Sequence, residues 1–548
     1  MKRSTFRQLA PVSVIVAAVC GFGLLSSCRR PESNVEAGAR QQILHVGNKD
    51  EPDTLDPHLN VAASTGSLLA AIYEGLVNVA GDGKAVLPGV AERWEISPDG
   101  LTYTFFLRAG AKWSNGDALT AHDFRDSFLR ILSPKLGSER ALYPEPIVGA
   151  VEFNGGRVTD PDSVGIRVVD DRTLEMRLRR PTPYWLAILA RAPLVPVHRP
   201  SLEASGATWE SRGGNWTTPG SLVTNGAFTL AEWRPNAFIR VVRNEAYWNA
   251  SSVMLKEIFF YPTDDENSEE RAYRAGQFHV TSRLPKTKLA AYEGSPDLRV
   301  APQIRTEYLS FNVQAAPFAD ARIRRAFGLA IDRERLVRAT LGVLGEPAAA
   351  LTRPGTGGYS PSGHFSFDPT EAQRLLAEAG FPGGEGLPPV ELSLNGNAGS
   401  VVTIGEAIQQ MWREHLGVQV QLRPLEFKVY LSLNRSRAFQ VVAEGWASSY
   451  DDPRELLHLS TAEDPNNTSG WSLPEYELAA AAVDAALAPE SRAQAFAAME
   501  TLLGREAPIA PFYYRNAARL VHPTVKDLPE NSLGIVDWRA VSLEPSAK

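Results

Sequence analysis

Two aspartates stand side by side in EGWASSYDDP, residues 444–453, just past a tryptophan set among small side chains. Paired carboxyls are where general acid–base chemistry begins. Neighbours on a strand, however, point to opposite faces, so Asp451/Asp452, like Asp264/Asp265, is weak evidence for a shared proton. The nine histidines are scattered, none three to five residues from another, so local metal-ligand spacing is absent. H-E-x-x-H, G-x-S-x-G, Walker and G-x-G-x-x-G patterns are missing as well. Catalytic residues, a metal and a cofactor are therefore not expected. What remains is the emptiness around Trp446. Gly445, Ala447, Ser448 and Ser449 leave a stretch of backbone with little to cover it.

The N-terminus carries its own chemistry. Lys2, Arg3 and Arg7 precede an apolar run, 12–25, too short for a comfortable membrane span. It ends in Leu25-Ser26-Ser27-Cys28, which resembles the lipobox of bacterial lipoproteins. That resemblance implies a signal peptide at 1–27, cleavage before Cys28 and lipidation of Cys28. One acyl chain binds a membrane only weakly, and the resemblance implies three. Cys20 lies inside the run, so the cleaved chain has one cysteine and no internal disulfide. Losing Lys2, Arg3 and Arg7 takes the formal charge from −7 to −10, which argues against nucleic acid as a partner.

At 548 residues the chain exceeds one core, and length alone suggests roughly three domains. A polar tether is expected at 28–41. Alternation predicts strands around Tyr103/Phe105/Leu107, Leu174/Met176/Leu178, Val390/Leu392/Leu394 and Val418/Val420/Leu422. Helices are predicted after Thr120 (with Asp123 as an atypical capping-box partner), Asp320 and Asp368. Residues 475–505 read as alanine-rich helix broken near Pro489. This is a mixed α/β chain.

A longer series of blocks carries a family resemblance. YEGLVNVAGDGKAVLPGVAERWEISPDGLTYTFFLRAGAKWSNGDALTAHDF (73–124) resembles the signature region of the extracellular solute-binding proteins of peptide ABC importers, family 5. TLDPH (54–58), VTNGAFTLAEW (223–233), NEAYWN (244–249), APFADARIRRAFGLAIDRE (316–334), NNTSGW (466–471) and PFYYRNAARLV (511–521) follow in the family's order. The oligopeptide-binding members are the nearest match. The resemblance implies an α/β, two-lobed periplasmic-binding-protein fold, type II-like, with a hinge and an extra domain. Domain I would comprise 42–64, 162–280 and 516–545. Domain II, the extra domain, would be 65–161, and domain III 281–515.

The same resemblance assigns a site. The segment matching Gly445, Trp446 and Ala447 presents backbone N–H and C=O groups to an extended peptide, which adds as a strand. Glu51 and Tyr143 align with ligand-lining positions. Ser449 stands where relatives carry the aspartate that pairs with the ligand's amine. Tyr450 is expected at the ligand, and either Asp451 or Asp452 brings a substitute for that aspartate or the ligand lacks a free amine. Ala443 and Ala315 stand at cationic positions, and Arg515, at a tyrosine position, is the candidate replacement cation. The expected function is a lipid-anchored extracytoplasmic receptor, monomeric, that delivers short peptides to an ABC importer. A murein peptide, an oligosaccharide or a metal chelate on the same fold is the alternative. A secreted peptidase is the alternative of another class.

Overall fold

The computed structural model describes residues 32–396 and 399–545, so the expected signal peptide and Cys28 lie outside the described residues. Alternation becomes strand wherever it was expected: Thr102–Leu107, Thr173–Arg177, Val390–Asn395 and Val420–Leu425. In the first, Tyr103, Phe105 and Leu107 are buried and the residues between keep surface. Side-chain caps begin the helices. Asp368 accepts the Glu371 N–H at the head of Pro369–Glu378, and Asp320 accepts the Arg322 N–H at the head of Ala321–Leu329. Asp123 closes its box from the shorter side chain, taking the Thr120 N–H at 2.7 Å and its hydroxyl at 2.9 Å. The alanine-rich stretch divides into Pro474–Ala485 and Pro489–Glu506.

The expected tether is partly wrong. Asn34–Gln41 is a helix with a Ser33–Glu36 capping box. Val35 and Ala39, one turn apart, bury its inner face, an apolar pair too sparse to stand out in a polar stretch.

Three large sheets organise the described residues. The first runs Ile43–Gly47, Glu257–Tyr261, Phe238–Arg243, Phe228–Arg234. The second runs Ala91–Ile96, Thr102–Leu107, Thr173–Arg177, Ile166–Asp170. The third has six strands, in the order Gly345–Pro347, Ile509–Leu520, Leu298–Phe311, Val441–Ala447, Val390–Asn395, Val420–Leu425. The second sheet moves an expected boundary. Its last two strands fall within the expected domain I, yet Thr173–Arg177 pairs with Thr102–Leu107, Ile166–Asp170 pairs with Thr173–Arg177, and Leu174 and Met176 are buried in that sheet's core. The packing changes core between Tyr73 and Leu76, and again between Leu194 and Val195, not at 161/162.

A buried ion pair fastens the second sheet's unit to the first. Arg130, on helix Ala121–Leu132, reaches Asp56 with two bonds, 3.0 and 2.6 Å, and donates to His58 Nδ1 at 2.9 Å. The six-stranded sheet is joined differently. Leu298–Phe311 and Ile509–Leu520 run on as an antiparallel ribbon toward the first unit. There Thr281 N–H donates to Leu520 O, and His522 N–H to His279 O. Register shifts between Pro302 and Thr306 and between Glu307 and Tyr308 bend this ribbon. This two-stranded ribbon is the backbone link between the two bodies, which also meet at Tyr143–Ser449 and Tyr184–Tyr450.

Candidate functional site

The strand Val441–Ala447 holds the centre of the site. It pairs with Leu298–Phe311 along its whole length. Ser448 N–H donates to Ile304 O at 2.8 Å and Asn312 N–H to Gln440 O at 3.0 Å. Antiparallel alternation between those bonds turns the even-numbered residues toward that neighbour. Gly445 and Ala447 therefore direct their N–H and C=O groups to the opposite edge. On that edge Val390–Asn395 pairs only at Val441 and Val442. Tyr430 hydroxyl donates to the Ala443 carbonyl at 2.8 Å. From Gly445 onward the edge is open to an incoming strand, as an added peptide requires.

A cavity of about 370 Å³ borders this open edge, with Gly445, Trp446, Tyr430, Phe427 and Tyr513 in its wall. Glu307, the partner of Gly445 across the pair, lies on the glycine's face: a Cβ at 445 would fall 2.0 Å from Glu307 Oε2. Arg305 Nε donates to Glu307 at 2.5 Å. Glu444 enters from the other face of the strand. Thr468 hydroxyl donates to it at 2.5 Å and is itself 2.9 Å from Ser310 Oγ. Enclosure by protein pushes the Glu444 carboxyl up to about 7. The Thr468 and Ser310 hydroxyls pull against that rise, and the Glu307 charge adds to it.

The loop that follows is organised by one carboxylate. Glu455 accepts the Ser449 N–H at 2.7 Å, the hydroxyls of Ser448 and Ser449 at 3.1 and 3.2 Å, and the Trp446 indole N–H at 3.4 Å. Burial raises its carboxyl above the ordinary range while these four donors hold it down. The negative charge missing from position 449 is thus present one hydrogen bond behind it.

The expected site residues divide. Tyr143 and Ser449 meet, hydroxyl to hydroxyl, at 3.5 Å. Trp446 and Gly445 wall the cavity, and Ala447 sits on the same open edge. Arg515 is exposed on Ile509–Leu520, and its charge reaches Tyr513 in the cavity wall. Tyr450, Asp451 and Asp452 are turned elsewhere. Tyr450 is buried and stacks on Tyr184, centroids 4.9 Å apart at 4°. Asp451 accepts the Gly357 N–H, and Asp452 holds Arg492 with bonds of 2.6 and 3.1 Å. All three are thus engaged within the protein. Glu51 is held by Trp233 Nε1 at 2.6 Å and Asn236 N–H at 3.1 Å, away from the cavity wall. Sequence reasoning missed Glu307, Glu444 and Glu455. The signal for Glu444 was available: a carboxylate interrupting the apolar strand VVAEGWA.

Comparison with known proteins gives the family of the chain. A family model described as bacterial extracellular solute-binding proteins, family 5, matches residues 85–468. The periplasmic murein peptide-binding protein MppA of Escherichia coli is 32% identical over 534 residues, 95% of this chain and 96% of the relative. A probable deoxycholate-binding periplasmic protein of the same organism, YgiS, is 31% identical, covering 90% and 91%. The periplasmic oligopeptide-binding protein OppA of Salmonella typhimurium is 31% identical, covering 93% and 94%. The unliganded open form of MppA superposes with a TM-score of 0.81 at 31% identity over 92% of this chain and 97% of that one. The chain belongs to the bacterial extracellular solute-binding proteins of family 5, with their two-lobed α/β fold.

Proposed function

We propose that this protein is a lipid-anchored extracytoplasmic receptor that captures a short peptide or peptide-like ligand and hands it to an ABC importer. The observation that carries the reading is the open edge at Gly445 and Ala447. Main-chain pairing there holds a polyamide whatever its side chains, so one receptor accepts many sequences. Closure follows from better contacts with ligand in the closed form, with lobe one (42–73, 195–280, 516–545) swinging on the ribbon against lobe two (281–515). The unit from 76 to 194 rides on lobe one. No reaction is catalysed, and the membrane is reached through lipidated Cys28. The murein peptide-binding and oligopeptide-binding relatives support peptide as the ligand class.

A second reading keeps the fold and changes the ligand. It is favoured by Ser449, which lacks the charge expected to meet an amine, and by the deoxycholate-binding name of one relative. Native mass spectrometry of protein purified from its host tests both. Co-purifying masses that fragment as peptides support the first reading. A retained non-peptide overturns it in favour of the second.

A further inference from the structure

The cavity beside Gly445 contains a carboxylate without a counter-charge and a carbonyl without a donor among the described residues. Glu444 accepts the Thr468 hydroxyl but has no ion-pair partner among the described residues. Its neighbour Glu307 is already paired with Arg305. Asn434, on helix Phe427–Ser436, lines the same cavity, is 8% exposed, and its Oδ1 has no hydrogen-bond partner among the described residues. An enclosed carboxylate without a counter-charge is costly, and so is an unanswered buried carbonyl. Both costs disappear if the occupant brings a cation with several N–H donors.

The cavity's own cations do not meet that need. Arg305 is committed to Glu307 at 2.5 Å. Arg437 donates to Asn467 O at 2.9 Å. Arg435 is exposed at the end of its helix. The walls between them are aromatic: Trp446, Phe427, Tyr430 and Tyr513. Aromatic faces suit the methylene stem of a long basic side chain and attract its charged end.

We infer that this cavity is a side-chain subsite for a basic residue of the bound peptide, an ammonium or guanidinium, with Glu444 as its counter-charge and Asn434 Oδ1 as a second acceptor. This rests on the peptide-receptor reading. A peptide strand on the open edge at Gly445 delivers alternate side chains to either face of the sheet. One of them enters the cavity where Glu444 stands. Binding the cation takes the ionised form of Glu444, so the preference for a basic ligand grows as pH rises through about 7.

Isothermal titration with tripeptides tests the assignment. The set is Ala-Ala-Ala, lysine scanned through each position, norleucine in the same positions as the uncharged isostere, and glutamate. At pH 8 one lysine peptide should bind at least about tenfold more tightly than its norleucine partner, a difference of about 1.4 kcal/mol. That ratio should shrink at pH 6, and Glu444→Gln should bring it close to one. Asn434→Leu should reduce it in part. A lysine-to-norleucine ratio near one in the unaltered protein overturns the subsite, and so does a ratio that survives Glu444→Gln. If alanine and norleucine peptides still bind in either case, the peptide-receptor reading stands without it. Tightest binding of the glutamate peptides assigns the cavity to its arginines and overturns the subsite. If no peptide in the set binds, the receptor reading and the subsite fall together.

Discussion

The hydroxyls of Tyr143 and Ser449 lie 3.5 Å apart although 306 residues separate them in the chain. The contact joins the unit built on Thr102–Leu107 to the loop leaving Val441–Ala447, and Tyr450 stacked on Tyr184 repeats the junction one residue on. The loop with the open edge is therefore braced from outside its own lobe. Its geometry is set by packing before any ligand arrives, which lowers the cost of ordering it on binding.

Glu455 changes what a charge at position 449 would do. An aspartate there would face a half-buried carboxylate that now accepts the Ser449 hydroxyl at 3.2 Å. Ser449→Asp alone should gain little for peptides with a free amine. Ser449→Asp combined with Glu455→Gln should gain more than the two single changes added together, with a coupling of about 1 kcal/mol. Titration of a peptide and its N-acetylated form against all four proteins measures this. Strict additivity would remove Glu455 from the account.

Three buried histidines set an acid limit on the fold. Burial lowers His45 and His58 to about 4 and His279 to about 3. The unfolded chain, with ordinary histidines near 6.5, then binds more protons than the folded one below that pH. Their contribution to stability is complete above about 6.5 and is lost as pH falls toward about 4. Urea midpoints should decline over that window. His58→Gln, which keeps an acceptor for Arg130, should flatten the decline. Equal slopes in the two proteins would contradict the role given to His58.

Gly445 is required for what it lacks. The first side-chain carbon of Gly445→Ala would meet the Glu307 carboxylate at 2.0 Å. Relief displaces Glu307 from Arg305 and disturbs the edge that receives the ligand. Affinity for any bound peptide should fall about tenfold or more, with a modest fall in melting temperature. Titration and calorimetry on one preparation separate the two effects. Unchanged affinity would mean that the ligand does not pass this residue.

Cys28→Ala should move the protein from the membrane fraction to the soluble one, because three acyl chains are expected on that sulfur and its amine. Fractionation followed by immunoblotting reads the outcome. No described helix is long and apolar enough to cross a membrane. Retention of Cys28→Ala in the membrane fraction would contradict the lipobox reading.

Much of the fold is legible in local patterns. Asp368, Pro369 and Gly380 mark the ends of one helix by cap, first turn and stop, and Gly380 has the positive φ, +96°, that a helix stop demands. Alternation marks strands equally well. Sheet membership is less legible, because Thr173–Arg177 looks the same whichever sheet completes it. The site divides along the same line. Gly445 and Trp446 are visible as a gap beside a ring. Glu307 acquires meaning only when Leu298–Phe311 pairs with Val441–Ala447 and sets it on Gly445. Asn225 followed by glycine reads as a turn, yet its amide clamps the Glu74 backbone through both of its ends, at 3.1 and 2.7 Å. Partners separated by 151 residues leave no trace in local spacing.

The most direct measurement is a crystal structure of the protein with the ligand it retains from its host. The account predicts an extended chain lying along the open edge, exchanging main-chain hydrogen bonds with Gly445 and Ala447 beside the Trp446 ring. A ligand bound away from that edge, or one in the cleft with no main-chain pairing to either residue, would contradict it.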